Sequence, residues 1–326
     1  MKNSIVTGGC GFIGRNLTKK LLSLDHDVLI VDDLSTGLEP ELWLSSDERS
    51  RITFVHLPCE SEKARDSVVQ FSQNSTDLYL FHFASIIKGR KFIEAFPFHI
   101  SHNLHIDTSI LRLAAEIKPS HFIYPSSSAV YPVIFQEQET FRALHEDMVS
   151  PSSFSAPDQT YGWSKLMGEI HATILFEKFR VPTTIVRPFS GYGPDQSLNY
   201  PMPAIVQRFI NKEDPLTIWG SGTQLRDFVY IDDLIDAIFL GIKFFPAAQP
   251  INIGSGIATS FMSVIEELSE LTAFRPEIIN DPSKPEGVYG RFCDPGKLLA
   301  AADWKPKHSL RDGLEKMISA AKEKEG

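Results

Sequence analysis

Three glycines, Gly8, Gly11 and Gly14, lie in the segment SIVTGGCGFIG, between a short apolar strand and an amphipathic helix pattern. This pattern is typical of a turn that binds the phosphates of a dinucleotide. One glycine permits the tight turn, one lets the backbone approach a pyrophosphate, and one lets the helix pack closely on its strand. The N–H groups and dipole at the helix start then favour negative charge. We therefore expect a dinucleotide-binding turn, with Phe12 and Ile13 among its contacts.

The next strand supports the same interpretation. Residues 27–31 form an apolar run that ends in Asp32 and Asp33, about where a carboxylate would bind an adenosine ribose. Such a carboxylate favours NAD over NADP, because it would repel a 2′-phosphate. Asp33 is a second candidate for this contact. Arg15 favours NADP instead, since a basic residue near the turn would attract the 2′-phosphate.

Strands and helices alternate along most of the chain, which predicts an α/β fold with a doubly wound parallel sheet. Further strands are expected at 51–56, 77–83, 121–124 and 183–186, with a long helix over 97–117. After Arg187 the pattern changes. We expect residues 1–187 and about 225–250 to form a Rossmann domain. The remaining residues, about 188–224 and 251–326, would form a smaller mixed α/β lobe that binds the substrate.

Composition excludes several classes of protein. A chain of 326 residues with 42% hydrophobic content can bury a large core, and its net charge of −9 disfavours a nucleic-acid surface. No apolar run approaches the length of a membrane span, and the first strand leaves no room for a signal peptide. Cys10, Cys59 and Cys293 are isolated, without metal-type spacing. We expect a cytoplasmic protein with neither a metal nor a membrane or nucleic-acid partner.

Tyr161 and Lys165 are four residues apart on a predicted helix, so both side chains project from one face. A lysine near a tyrosine stabilises the phenolate and lowers its pKa, which makes the tyrosine a usable general base. An isolated pair of this kind is most often a surface pair. Here, however, Ser126 to Ser128 follow the preceding strand, at the sheet edge where ligands bind. A serine hydroxyl there can hydrogen-bond the substrate oxygen whose proton the tyrosine removes.

Five motifs in this order resemble the extended short-chain dehydrogenase/reductases that act on nucleotide sugars, a UDP-galactose 4-epimerase-like group. They are TGGCGFIG, SSSAVY, YGWSK, RPFSGYGP and GSGTQLRDFVYIDDL, and the resemblance continues to GRFCDPGKL and ADWKP. It implies a bound NAD and a nucleotide-diphosphate sugar as substrate. It also implies a homodimer formed through the helices that hold Asn103 and Tyr161, although core packing would explain their apolar positions as well.

The resemblance assigns roles to individual residues. Cofactor contacts would come from Gly8, Gly11, Gly14, Asp32, Phe83, Ala84, Asn103, Tyr161 and Lys165; catalysis from Ser127, Tyr161 and Lys165; and substrate contacts from Ser127, Ser128, Arg226 and Arg291. The two arginines would bind the diphosphate; the alternative for them is a surface ion pair. His82, within its strand, is expected to be a hydrogen-bonded core histidine.

Departures from the family pattern narrow the reaction. Ser128 and Ala129 stand where the family's dehydratases carry an acidic pair, and Ala129 stands where its GDP-mannose 3,5-epimerases carry a cysteine. The expected reaction is therefore epimerisation of a nucleotide sugar, most often at C4, through a transient keto sugar. A one-way nucleotide-sugar dehydrogenase or reductase, a dehydratase and a catalytically silent relative remain alternatives. Specificity is expected to lie in loops 133–159 and 188–223.

Overall fold

The computed structural model describes residues 2–87, 90–149, 156–284 and 286–325 of the chain. Its strands are β1 Lys2–Thr7, β2 His26–Asp32, β3 Ile52–His56, β4 Asp77–His82, β5 His121–Pro125, β6 Thr183–Pro188, β7 Ser190–Tyr192, β8 Leu216–Trp219, β9 Leu225–Arg226, β10 Phe228–Tyr230, β11 Ala247–Ile253, β12 Thr259–Ser260, β13 Ile278–Asp281 and β14 Gly290–Arg291.

The helices connect these strands and cover the sheet. They are α1 Phe12–Ser23, α2 Ser46–Arg49, α3 Glu62–Ser72, α4 Arg90–Ala95, α5 Pro97–Ile100, α6 Asn103–Ile117, α7 Gln159–Phe179, α8 Pro201–Ile210, α9 Ile231–Phe244, α10 Phe261–Thr272, α11 Gly296–Ala302 and α12 Leu310–Glu325. Among the described residues, none of these helices combines the length and apolar character needed to cross a bilayer.

Within the described residues, seven strands form one sheet in the order β11–β6–β5–β4–β1–β2–β3, and each neighbouring pair is parallel. From β1 the chain moves to one side through β2 and β3, and then crosses to β4 on the other side. The carboxyl end of β1 therefore lies at the topological switch point, where open α/β sheets bind ligands. The predicted doubly wound α/β fold is confirmed, and the glycine-rich turn lies at that point.

Successive residues of a strand serve opposite faces of the sheet. Ile5 and Leu29 pack in the cluster that contains α3, α6 and α7, whereas Val6 and Ile30 pack with α1 and α9. Burying one such aliphatic side chain stabilises the fold by about 1.5–3 kcal/mol. The second cluster continues into α8, α10 and α12, so one apolar core supports both the sheet and the smaller lobe.

Two predicted elements differ from the structure. The helix expected over 97–117 is divided into α5 and α6, because the N–H of His102 bonds the carbonyl of His99 at 3.2 Å, a tight i−3 turn. The strand at 251–253, expected in the smaller lobe, belongs to the main sheet, since Ile251 lies beside Val186 of β6. The remaining division of the chain into two domains stays a prediction.

Short strands outside the main sheet pair in small groups. Strand β8 pairs with β13, and β9 pairs with both β12 and β14. In the β9–β14 pair, Arg226 and Arg291 are direct register partners. This pairing places the two predicted substrate arginines on neighbouring strands.

Candidate active site

The glycine-rich turn is shaped by its contacts with the rest of the chain. Gly8 has φ +70°, and a Cβ there would lie 2.4 Å from the backbone nitrogen of Ala84. A Cβ on Gly14 would lie 2.1 Å from the carbonyl oxygen of Gly8. At Gly11, the N-cap of α1, a Cβ would meet only that oxygen, at 3.3 Å. The packing therefore requires the first and third glycines, and the second leaves open space in front of the helix start.

Asp32, at the end of β2, holds this turn in place. Its buried carboxylate accepts the backbone N–H of Cys10 at 2.9 Å and that of Leu34 at 2.8 Å. Burial raises the pKa of Asp32, although the two N–H groups oppose the shift. Asp33 is exposed and accepts the N–H of Ser35 at 2.9 Å. Of the two candidates, Asp32 is the one that faces the turn.

Arg15 braces the turn from its other side. Its buried guanidinium donates to the carbonyl oxygen of Cys10 at 2.6 Å and to that of Asp195 at 2.7 Å. These bonds occupy the side chain with backbone oxygens, so the structure gives Arg15 a structural role and does not support the alternative phosphate contact. Phe12 and Ile13 are the first, half-buried residues of α1.

The end of β4 lies along the same crevice. The N–H of Phe83 bonds the carbonyl of Thr7 at 2.8 Å, and the backbone of Ala84 touches Gly8. Asn103, predicted as a cofactor contact, also bonds the chain itself beside this crevice. Its buried amide accepts the N–H of Ile86 at 2.7 Å and donates to the carbonyl of Ile86 at 3.0 Å. Because both polar atoms are engaged, the structure gives Asn103 the role of positioning the segment after β4.

The structure brings Ser127, Tyr161 and Lys165 together. A Cβ on Gly162 would lie 2.3 Å from the carbonyl oxygen of Ala129, so the first turn of α7 packs directly on the short 3-10 turn Ser128–Val130. Ser127 caps that 3-10 turn, accepting the N–H of Ala129 at 3.1 Å, and its hydroxyl lies near enough to the Tyr161 phenol to act against the rise of the phenol's pKa. Ser128 is buried inside the turn.

The acidity of Tyr161 differs from the prediction. Burial, together with the nearby Tyr200, raises the pKa of the phenol, and the Ser127 hydroxyl only partly opposes this. Lys165 is not among the groups that lower it. The expectation that Lys165 lowers the pKa of Tyr161 is therefore wrong for the protein chain alone, in which the phenol keeps its proton.

Lys165 is buried without a hydrogen-bond acceptor. No atom in the described part of the chain accepts a bond from its Nζ. Asp107 Oδ1 lies 4.0 Å away, and the centroid of the Tyr124 ring lies 5.0 Å away. Burial lowers the pKa of Lys165, while the carboxylate of Asp107 opposes the shift. A buried donor without an acceptor costs free energy, so Lys165 is poised to bind hydroxyl oxygens.

A buried polar network lies beneath Lys165, and we call it the Asp107 network. Asp107 accepts the Tyr124 hydroxyl at 2.6 Å and contacts His82 Nε2 at 3.1 Å; His82 Nδ1 contacts the Thr7 hydroxyl at 2.7 Å. Burial would raise the pKa of Asp107, but Lys165, His82 and Tyr124 outweigh it and hold that pKa below its usual value. His82 is thus a core histidine, as predicted. The sequence analysis missed Asp107 and Tyr124.

The predicted substrate arginines lie in a second cluster, which we call the arginine cluster: Arg90, Arg226, Arg291 and the carboxylate of Asp158. Arg291 donates to Asp158 Oδ2 at 2.5 Å, and Arg90 Nη1 lies 3.0 and 3.1 Å from the two carboxylate oxygens. The cluster borders a cavity of about 490 Å³ that Gln136 and Tyr289 also line. The sequence analysis missed Arg90 and Asp158. Residues 150–155 of the expected specificity loop lie outside the described part.

Comparison with known proteins agrees with this geometry. Residues 4–254 match the model of the NAD dependent epimerase/dehydratase family. The chain belongs to this family. Its cofactor is NAD, and it is a member of the nucleotide-sugar epimerase/dehydratase group.

Individual relatives of this family cover almost the whole chain. A putative UDP-glucose 4-epimerase of Methanocaldococcus jannaschii is 25% identical, over 97% of each chain. GDP-L-fucose synthase 1 of Arabidopsis thaliana is 26% identical, over 95% of this chain and 90% of its own. The fold matches UDP-glucose 4-epimerase of Thermotoga maritima at a TM-score of 0.87 and 24% identity, over 99% of this chain and 100% of that chain. UDP-glucuronic acid 4-epimerase of Bacillus cereus, in complex with UDP-glucuronic acid and NAD, matches at a TM-score of 0.81 and 26% identity, over 98% and 99%.

The residues of this epimerase/dehydratase family member fit its cofactor. Gly8 and Gly14 form a turn that a Cβ would fill, and Asp32 stands at its edge. Lys165 supplies a buried ammonium without an acceptor in the described residues. This set of donors and glycine backbone suits a dinucleotide, with phosphates at α1 and ribose hydroxyls at Asp32 and Lys165.

Proposed function

We propose that this protein is an NAD-dependent epimerase of a nucleotide-diphosphate sugar. It inverts one carbon of the sugar, expected to be C4, through a transient keto sugar. The observation that carries the proposal is the placement of the half-buried Ser127 beside the buried Tyr161 and Lys165, after the carboxyl end of β5. The relatives that act on UDP-glucose and UDP-glucuronic acid support the substrate class.

The residues divide the work of the reaction. NAD, when bound, accepts a hydride from the sugar and returns it. Tyr161 removes the proton of the sugar hydroxyl and gives it back when the carbonyl is reduced. Ser127 orients that hydroxyl and stabilises the phenolate, in line with its effect of lowering the pKa of Tyr161. Burial raises the pKa of Tyr161, so the phenol needs positive charge close to it to lose its proton. Lys165, one turn further along α7, is a buried cation that would hold the cofactor beside the phenol.

The two residues after Ser127 provide no acidic or basic side chain. Ser128 and Ala129 are buried in the 3-10 turn, where a dehydratase would need groups that add and remove protons at neighbouring carbons. An epimerase that oxidises and re-reduces one carbon needs none. This supports epimerisation over dehydration.

We propose Arg226 and Arg291 as ligands of the substrate's diphosphate, since guanidinium groups pair well with phosphates. We also propose a cytoplasmic homodimer that associates through α6 and α7. Trp163, Met167 and Ile170 form an apolar stripe on α7 with exposed fractions of 56, 42 and 44%. Ile106 and Ile110 of α6, which the sequence also allowed at the interface, are buried in the core instead.

A screen of UDP-, GDP- and dTDP-sugars, followed by proton NMR of the products, tests the reaction. We expect one sugar to be converted to its epimer without added cofactor and without net formation of NADH. Stoichiometric absorbance at the NADH band would instead identify a one-way dehydrogenase or reductase. Loss of water from the sugar would identify a dehydratase.

A further inference from the structure

The arginine cluster combines side chains from four separate parts of the chain. Arg90 comes from α4, Asp158 precedes α7, and Arg226 and Arg291 come from β9 and β14. Arg226 itself donates to the carbonyl oxygens of Val288 at 3.0 Å and Glu286 at 3.2 Å. A Cβ on Gly287 would lie 3.4 Å from Arg226 Nη2 and 3.7 Å from Arg90 Nη1. Arg226 and Arg90 therefore meet at Gly287, and Arg90 and Arg291 meet at the carboxylate of Asp158.

The cluster holds more positive than negative charge. Three guanidiniums stand against two carboxylates, that of Asp158 and the exposed one of Glu94, which lies 2.6 Å from Arg90 Nε. Burial, then repulsion from Arg291 and Arg90, lowers the pKa of Arg226 to about 9. Burial would raise the pKa of Asp158, but Arg291 and Arg90 outweigh it and hold that pKa below its usual value. The carboxylate is thus ionised near neutral pH and still does not neutralise the cluster.

We propose that Asp158 is an internal stand-in for phosphate: its carboxylate holds Arg90 and Arg291 until the substrate's diphosphate replaces it, and Arg90 becomes a third diphosphate ligand. This inference rests on the proposed function and deepens it. Carboxylate and phosphate oxygens are interchangeable acceptors for a guanidinium. The guanidiniums outnumber the carboxylates around them, which favours binding of an anionic diphosphate.

The backbone of Asp158 is held by two hydrogen bonds that do not involve its carboxylate. Its N–H bonds the carbonyl of Ala129 at 2.9 Å, and its carbonyl accepts the N–H of Gly162 at 2.9 Å. These bonds hold the start of α7 against the turn that carries Ser127. A diphosphate can therefore take the guanidinium donors without moving Tyr161, which lies three residues further on.

The test is calorimetric binding of UDP and of GDP to the full chain saturated with NAD, so that neither probe enters the dinucleotide crevice. Removing a competing carboxylate leaves its arginines free for the ligand, so Asp158→Asn should tighten binding of the better probe about tenfold. Asp158→Ser should change it in the same direction. Arg90→Gln should weaken it about tenfold, because a charge-assisted contact is lost.

Glu94→Gln is the matched control. Glu94 is the second carboxylate on Arg90, at 2.6 Å from its Nε, but it is exposed and does not touch Arg291. This variant should stay within about twofold of the wild type, because exposed ion pairs contribute little. Weaker binding in both Asp158 variants, unchanged binding in Arg90→Gln, or no binding of either probe to the wild type would overturn the proposal. Binding needs no turnover, so failure of the proposed reaction would be seen separately.

Discussion

Two buried polar networks meet helix α7 one helical turn apart, at Lys165 and at Glu169. They differ in whether the buried cation has a hydrogen-bond partner. The Asp107 network lies under Lys165. The second, which we call the Glu169 network, consists of Ser126, Tyr131, Glu169, Arg187 and Asn252. In the first, the Nζ of Lys165 has no acceptor among the described residues. In the second, the charges pair directly: Arg187 donates to the two oxygens of Glu169 at 2.8 and 2.7 Å.

The rest of the Glu169 network is equally well paired. Ser126 donates to Glu169 at 2.5 Å, Arg187 donates to the Tyr131 hydroxyl at 3.1 Å, and that hydroxyl donates to Asn252 at 2.6 Å. Both networks are desolvated, and desolvation is costly unless each group finds a partner. A complete network holds the fold together, whereas an incomplete one marks the place where a ligand completes it.

The largest expected effect is on turnover, and it comes from Tyr161, one turn from Lys165 on α7. Tyr161→Phe removes the positioned proton acceptor but keeps the ring, so turnover should fall by about 10²–10⁴-fold. NAD binding, measured by calorimetry, should stay within about threefold, because the phenol ring still fills its site. A variant with nearly wild-type turnover would exclude Tyr161 as the general base.

The largest expected effect on stability lies in the Glu169 network. Glu169→Gln leaves the buried Arg187 without its counter-ion, which should lower the free energy of unfolding by about 3–5 kcal/mol in urea titration. Glu177→Gln, an exposed position on the same helix, should change it by less than about 0.5 kcal/mol. Equal effects of the two substitutions would show that the buried pair does not stabilise the fold.

Lys165→Met contrasts the two networks directly. The substitution removes a buried ammonium that has no hydrogen-bond acceptor among the described residues and lies 4.0 Å from the Asp107 carboxylate, so the free energy of unfolding should fall by less than in Glu169→Gln, by under about 2 kcal/mol. Turnover should nevertheless fall by about 10²-fold, because the cation proposed to hold the cofactor beside the phenol is lost. A large loss of stability would mean that Lys165 is a structural cation after all.

The smallest expected effect is a pH dependence of that stability. Burial lowers the pKa of Lys165 below its usual 10.5. As the pH rises through the lowered value towards 10.5, the unfolded chain binds more protons than the folded chain, so the free energy of unfolding rises with pH. Lys165→Met lacks this contribution. The wild type should therefore gain stability relative to the variant as the pH is raised from neutral towards 10.5 in urea titrations; a constant difference would contradict the shift.

Short-range patterns allowed the sequence to predict one part of the site. The spacing of Gly8, Gly11 and Gly14 and the four-residue step from Tyr161 to Lys165 are both set by local backbone geometry. The structure places both features as expected.

Long-range pairing explains what the sequence analysis missed. Asp107 reaches Lys165 only because α6 packs against α7, and Arg90 and Asp158 meet only because α4 and β14 close on the start of α7. Gly168, a glycine inside the predicted helix, was a local sign of close packing at this point. In the structure, a Cβ on Gly168 would lie 1.7 Å from the Tyr124 hydroxyl oxygen. The expected pKa of Tyr161 was wrong because desolvation depends on burial, which spacing does not reveal.

The turn after β1 has a consequence for how the cofactor is held. Asp32 and Arg15 bind its backbone from both sides, so its shape does not depend on a ligand. Association then requires little ordering of the loop, which favours high affinity. A dinucleotide bound to so rigid a turn should dissociate slowly and stay bound from one catalytic cycle to the next. The proposed epimerisation, in which the same hydride is removed and returned, requires this.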